Sequence, residues 1–172
     1  MVQSMEERLG VYAGSFDPPT CGHLWMIEQG AALFDKLIVA VGINPEKKYL
    51  FSTEDRLEML SQCTTHLPNV EVHSFTNQFL INFAESRRAR FVLRGIRNES
   101  DYEQERVMRN VNGDLDPKIT TVFLMPPRPI AEVSSSLVKG LVGPIGWEAV
   151  VQGYVTAGVL QKLRHAHESQ RS

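Results

Sequence analysis

Cysteine is scarce: the 172-residue chain holds two, Cys21 and Cys63. One pair at most makes no disulfide framework, and the chain reads as a reduced, intracellular protein. A basic excess is missing as well, since 18 Lys and Arg stand against 20 Asp and Glu for a formal net charge of −2. A general nucleic-acid binder would carry such an excess, so nucleic acid is not an expected partner; a local basic pocket for a small anion remains allowed. No apolar run reaches the ~18 residues of a membrane span. The opening "MVQSMEERLG" lacks the apolar core of a secretory leader. The expectation is a cytoplasmic protein with no membrane partner.

What the chain does have is the making of one core. Its composition, 42% hydrophobic and 22% charged, suits a globular protein of one domain. "LGVYAGSF" is an apolar run ending at Gly14 and reads as a buried strand. "GHLWMIEQGAALF" sets Leu24, Ile27, Ala31 and Phe34 at helical spacing. "KLIVAVGI" is a near-continuous β-branched run, as in a parallel strand covered on both faces. "STEDRLEMLSQCTTHL" opens with Ser52 or Thr53 as a helix cap, with Glu54 and Asp55 in the first turn and Leu57, Met59 and Leu60 on an apolar face. Strand, helix and strand follow in "NVEVHSF", "NQFLINFAESRRA" and "RFVLRGI". A helix capped at Ser100-Asp101 comes next, and then a fifth strand, "KITTVFLM". Helices fill the chain after Val133, and the tail from 166 to 172 is expected to fray. The alternation predicts an α/β fold: a Rossmann-like, doubly wound, five-stranded parallel sheet in a single domain, with its core at about 8–140 and a helical segment at about 141–165.

In such sheets ligands bind beyond the carboxyl ends of the strands. Three polar sets fall at those ends: Ser15 to His23, Arg94 to Arg97, and Pro126 to Ser136. In the first, Gly14 lets a ligand approach the backbone, Pro18 and Pro19 stiffen the turn, and a helix start near Gly22 and His23 favours an anion. The plainer alternative is a Pro-rich turn with a capping histidine. In the second, two arginines flanking Gly95 suit a polyphosphate, although an R-x-x-R alone is more often a pair of solvated side chains. In the third, Ser134, Ser135 and Ser136 precede a helical pattern and can act as an N-cap or an anion cradle. His66, His73, His165 and His167 have no ligand spacing with a carboxylate, so no metal site is predicted.

The ten residues "GSFDPPTCGH" resemble the T/H-x-G-H signature of the nucleotidyltransferase superfamily. "LRGIRNESDYEQE" is similar to the R-G-[LI]-R-x-x-x-D-[FY]-x-x-E motif of phosphopantetheine adenylyltransferases. "VSSSLVK" resembles that superfamily's I-S-S-[ST]-x-x-[KR] stretch, and "NPEKKYLFSTEDR" resembles its S-P-x-K-K-x-x-F-x-x-E-E-R. The resemblance runs from about Gly10 to Lys139 with the motifs in family order. It implies adenylyl transfer from ATP to 4′-phosphopantetheine, Mg2+ accompanying the triphosphate, and a homo-oligomer, often a hexamer in this family. By position it implies catalytic roles for His23, Lys47 and Arg97. The acceptor would be bound by Ser15, Lys47, Leu80 and Arg94. ATP would be bound by Ser15, Phe16, His23, Gly95, Ile96, Arg97 and Glu105, and by Pro129, Ile130, Ala131, Glu132, Val133, Ser134 and Ser135.

Two stretches depart from the family pattern. Ile130-Ala131-Glu132 stands where aromatics are common, and "GLVGPIGWEAVVQGYV" keeps only part of the usual turn after Lys139. Two rivals therefore stay open on sequence: nucleotidyl transfer to another phosphorylated molecule such as nicotinamide mononucleotide, and a non-catalytic nucleotide-binding regulator. Having His23, Lys47, Arg94 and Arg97 together argues against the second.

Overall fold

A computed structural model describes residues 7–169. Five strands form one parallel sheet: β1 (Leu9–Gly14), β2 (Lys36–Ile43), β3 (Val70–Thr76), β4 (Phe91–Gly95) and β5 (Thr120–Leu124), in the order β3-β2-β1-β4-β5. The order reverses between β1 and β4, and a doubly wound sheet opens its ligand crevice at that point. Register places Tyr12 beside Leu93 there, so the chain leaves β1 at Ser15 and β4 at Ile96 on either side of the crevice.

The expected elements are present. Helix α1 spans Cys21–Leu33, α2 Thr53–Cys63, α3 Leu80–Ser86 and α4 Glu99–Leu115. The interior strand β2 shows why its β-branched run stays put. Ile38 and Ala40 join a core with Val11, Ile81 and Val92 on one face, while Leu37, Val39 and Val41 join Met26, Ile27 and Leu60 on the other. Alternate residues of a strand face opposite sides, so a strand buried on both faces reads as unbroken apolar sequence.

Of the two caps expected for α2, Ser52 is the one, accepting from the Asp55 N–H. Other boundaries differ from expectation. Asn98, not Ser100-Asp101, caps α4, accepting from the Asp101 N–H at 2.9 Å; the asparagine reaches its third following amide, and Asp101 is left free to pair elsewhere. A short helix, α5 (Arg128–Ala131), forms inside the third polar loop with Pro129 in its first turn, where a missing N–H costs nothing. Then α6 (Ser135–Leu141), α7 (Trp147–Val151) and α8 (Ala157–Ser169) close the chain. The tail expected to fray from 166 is helical through Ser169, because Val159, Leu160 and Leu163 anchor α8 in a third cluster with Phe51, Met59, Val138 and Trp147. Residues 170–172 of that expectation lie outside the described residues.

Candidate active site

Thr20 starts the site. Its hydroxyl accepts from the His23 N–H, and its own N–H donates to His23 Nδ1 at 3.0 Å, so the two residues form a reciprocal cap on α1. That bond assigns the tautomer: Nδ1 is an acceptor, and the ring proton sits on Nε2. The imidazole packs edge-on against Phe16, with ring centroids 5.0 Å apart. Burial, aided by the nearby Arg97 charge, pushes its pKa down to about 4. At neutral pH His23 is therefore an uncharged N–H donor, and the capping reading of this residue holds.

Two clefts open beside it. One, of about 370 Å³, is lined by His23, Gly95, Arg97, Ile130, Val133 and Ser134, and also by Tyr12, Met26, Asp101 and Gln104. The other, of about 400 Å³, is lined by Lys47 and Leu80 together with Ile43, Asn44, Tyr49, Phe75, Phe79, Met108 and Asn112. Ala13, Gly14, Ser15, Arg94 and Glu105 border both. The shared wall is an ion pair. Arg94 Nε donates to both Glu105 oxygens at 3.0 and 2.8 Å, with a further contact from Nη2, and Nη1 donates to the Ala13 carbonyl at 3.2 Å. Arg97 is held by Asp101 one helical turn on, through its backbone N–H and its guanidinium. Hydrogen bonds from Arg97 hold the Asp101 carboxyl below the usual range, and the same pairing raises Arg97.

Of the residues singled out by sequence, Phe16, Ile96, Pro129, Ala131, Glu132 and Ser135 line neither cleft. The Phe16 side chain is fully buried and packs on Tyr12 and His23, so its side chain serves the core. Ile96 is buried too, and its N–H donates to the Leu124 carbonyl. Ser135 Oγ donates to the Pro18 carbonyl at 2.8 Å, tying the third loop to the first. Glu132 is exposed.

Two glycines that line the cleft beside His23 are also closely approached by other parts of the protein. A Cβ on Gly22 would stand 3.1 Å from the Val133 carbonyl, so its bare α-carbon admits the third loop. A Cβ on Gly14 would stand 3.2 Å from the Phe16 ring, and Phe16 itself holds a left-handed φ of 48°.

Sequence reasoning missed most of the inner face of α4. Asp101, Gln104, Glu105, Met108 and Asn112 recur at intervals of three and four, a spacing that sets them on one side of a helix. It missed Asp17 as well. This carboxylate is 2% exposed and accepts from the Leu50 and Phe51 N–H groups and from Lys139 Nζ, all at 2.8–2.9 Å. It joins the first loop both to the segment after Lys47 and to α6.

Residues 11–141 match the family described as cytidylyltransferase-like. The chain is 55% identical over 164 residues to the phosphopantetheine adenylyltransferase of Neisseria meningitidis serogroup C, covering 94% of this chain and 96% of that one. It is 53% identical over 160 residues to the phosphopantetheine adenylyltransferase of Chromobacterium violaceum, covering 93% and 98%. Among solved structures, the nicotinic acid mononucleotide adenylyltransferase of Plasmodium falciparum is similar with a TM-score of 0.65 at 13% identity, over 91% of this chain and 94% of that one. At that identity the likeness is one of fold.

Proposed function

The chain belongs to the cytidylyltransferase-like family and, within it, to the phosphopantetheine adenylyltransferases, and we propose that its two clefts receive the two substrates of that reaction. It transfers the adenylyl group of ATP to 4′-phosphopantetheine, giving dephospho-CoA and pyrophosphate. The observation that carries the assignment of clefts is their contrast in character on either side of Ser15. The one with Phe75, Phe79, Leu80 and Met108 is the more apolar and has Lys47 and Arg94 as cations. That suits a long uncharged arm ending in a phosphate. The other gathers His23, Arg97, Gly95 and Ser134 and suits a nucleoside triphosphate.

A phosphate is already ionised at neutral pH and needs no base to attack phosphorus. Positioning and charge stabilisation carry such a transfer. The acceptor oxygen attacks the α-phosphorus of ATP, the bond to the β-phosphate oxygen breaks in line, and pyrophosphate leaves. His23 donates a hydrogen bond from its Nε2–H to an α-phosphate oxygen as charge builds there, and as a neutral imidazole it keeps that proton. Lys47 and Arg94 hold the acceptor phosphate. Arg97, oriented by Asp101, faces the triphosphate.

Mg2+ belongs to this proposal as the companion of ATP. Among the described residues no cluster of three metal-binding side chains exists. The two carboxylates bordering the nucleotide cleft, Asp101 and Glu105, are each taken by an arginine. Phosphate oxygens and water would therefore hold the ion. Self-association is also proposed. Helix α4 has no buried residue, and Val107, Val111 and Leu115, four residues apart, form an exposed apolar stripe along it. A cytoplasmic location fits the free state of Cys21 and Cys63.

The test is a substrate screen on the purified chain. Dephospho-CoA and pyrophosphate should form from ATP and 4′-phosphopantetheine. Nicotinamide mononucleotide as acceptor, or CTP as donor, should be poor by comparison. Equal turnover with nicotinamide mononucleotide would overturn the acceptor assignment.

A further inference from the structure

Arg56 is a cation sealed inside the protein. It lies near the start of α2, 1% exposed, and among the described residues its partners are neutral. Nε donates to the Ser52 carbonyl at 3.2 Å and Nη2 to Thr53 Oγ1 at 3.2 Å. Nη1 donates to the Ser15 carbonyl at 2.9 Å. The guanidinium lies over the Tyr49 ring, 4.1 Å from its centroid, a favourable placement for a cation. Burying a charge is costly unless hydrogen bonds replace its water. The contacts to Ser52 and Thr53 are local to the helix start. The contact to Ser15 crosses to the loop where both clefts meet.

That contact fixes the direction of a peptide. The Ser15–Phe16 bond is trans, so its C=O and N–H point opposite ways. With the carbonyl turned to Arg56, the Phe16 N–H is turned away from it, and Ser15, which opens that peptide, borders both clefts. Among the described residues this N–H has no hydrogen-bond partner, although Phe16 is fully buried. Orphaned buried N–H groups are rare. Phe16 also holds a left-handed φ of 48°, which a bulky residue adopts only when its surroundings impose it. Arg56 is one such constraint, and it keeps a carbonyl oxygen from facing an anion.

We propose that Arg56 is a positioning residue for adenylyl transfer: by gripping the Ser15 carbonyl it aims the Phe16 N–H at the phosphate bound between the two clefts. The proposal rests on the reading that the polar cleft takes ATP. The test uses the full-length 15N-labelled chain and α,β-methylene ATP, with the Phe16 amide followed by NMR. In the wild type its proton should move downfield, as a new bond to phosphate requires. In Arg56→Met that movement should be lost, with kcat falling about a hundredfold, the usual scale for one such donor, and KM for ATP changing far less. Arg56→Lys, which keeps the charge and one donor, should recover part of both. A Phe16 amide that stays still in the wild type, or moves equally in the wild type and Arg56→Met, would overturn the proposal. Should Arg56→Met fail to fold, the comparison of wild type with Arg56→Lys decides in the same way: an equal shift overturns it, a reduced one supports it. Dephospho-CoA formation is measured in parallel. A Phe16 shift that is lost in Arg56→Met, in a wild type that makes no dephospho-CoA, would sink the acceptor assignment while supporting the role of Arg56. A spectrum unmoved by the analogue would sink both.

Discussion

His23 commits one ring nitrogen to its own helix start and keeps the other, protonated, for the cleft. His23→Ala should lower kcat by about 10²–10³-fold while ATP affinity changes little, because the bond strengthens as charge develops; stopped-assay kinetics with a binding titration would check this. The low pKa has its own consequence. Between the ordinary value of 6.5 and about 4 the unfolded chain binds a proton that the folded chain refuses. The stability associated with neutral His23 is thus complete above 6.5 and is lost as the pH falls toward 4. The shift bounds the effect at about 3 kcal/mol, less for a part-exposed ring. Melting curves over that window should be flatter in His23→Gln, and the wild-type imidazole should remain neutral in NMR titration through pH 6. A normal histidine titration would break the link between burial and a neutral donor. Glu132 is the contrasting case. It is exposed, lines neither cleft and acts on Arg97 only through its charge. Glu132→Gln should leave ATP affinity within about fivefold, since opposed charges at ~4 Å in water exchange only ~1 kcal/mol. A marked loss accompanied by a new preference for CTP would show that Glu132 reads the base.

At the scale of elements, the fold was legible because each strand and helix carries a local pattern of its own. The unbroken run of β2 and the Ser52 cap with Glu54 and Asp55 are complete within a few residues. The motif residues His23, Lys47, Arg94 and Arg97 were legible for the same reason. What escaped is whatever depends on a distant partner. Asp17 is buried by Leu50, Phe51 and Lys139, and Arg56 by Ser15; no spacing within a segment announces either. The inner face of α4 escaped because its cleft-facing residues are of mixed polarity and make no hydrophobic stripe. Gly22 has a second constraint that its segment does not announce, a loop more than a hundred residues away. Gly22→Ala sets a methyl 3.1 Å from the Val133 carbonyl, a backbone atom that must shift for it. Strain of about 1 kcal/mol is expected, roughly a fivefold rise in KM for ATP, with KM for the acceptor unchanged. An equal rise for both substrates would mean that the third loop supports the whole site and not the nucleotide cleft alone.

Over the whole molecule, α4 is the element with the weakest ties to the rest. It contributes Asp101, Glu105, Met108 and Asn112 to the clefts, yet none of its residues is buried. Its fastenings to the sheet end are two arginine pairs, Arg94–Glu105 and Arg97–Asp101. Val107, Val111 and Leu115 remain 55%, 43% and 50% exposed on one stripe, an arrangement that a second copy would cover. Burying such a side chain is worth about 1.5–3 kcal/mol, so losing the cover should cost both association and the firmness of α4. Light scattering should accordingly give a multiple of the single-chain mass for the wild type, and a lower one for the double variant Val107→Glu, Val111→Glu. The same variant should show a raised KM for 4′-phosphopantetheine, because Met108 and Asn112 line that cleft from the loosened helix. kcat should fall less, since His23 and Lys47 lie on other elements. A monomeric wild type would remove self-association from the proposal. A dissociated variant with unchanged KM would show that α4 is held in place by its two ion pairs alone.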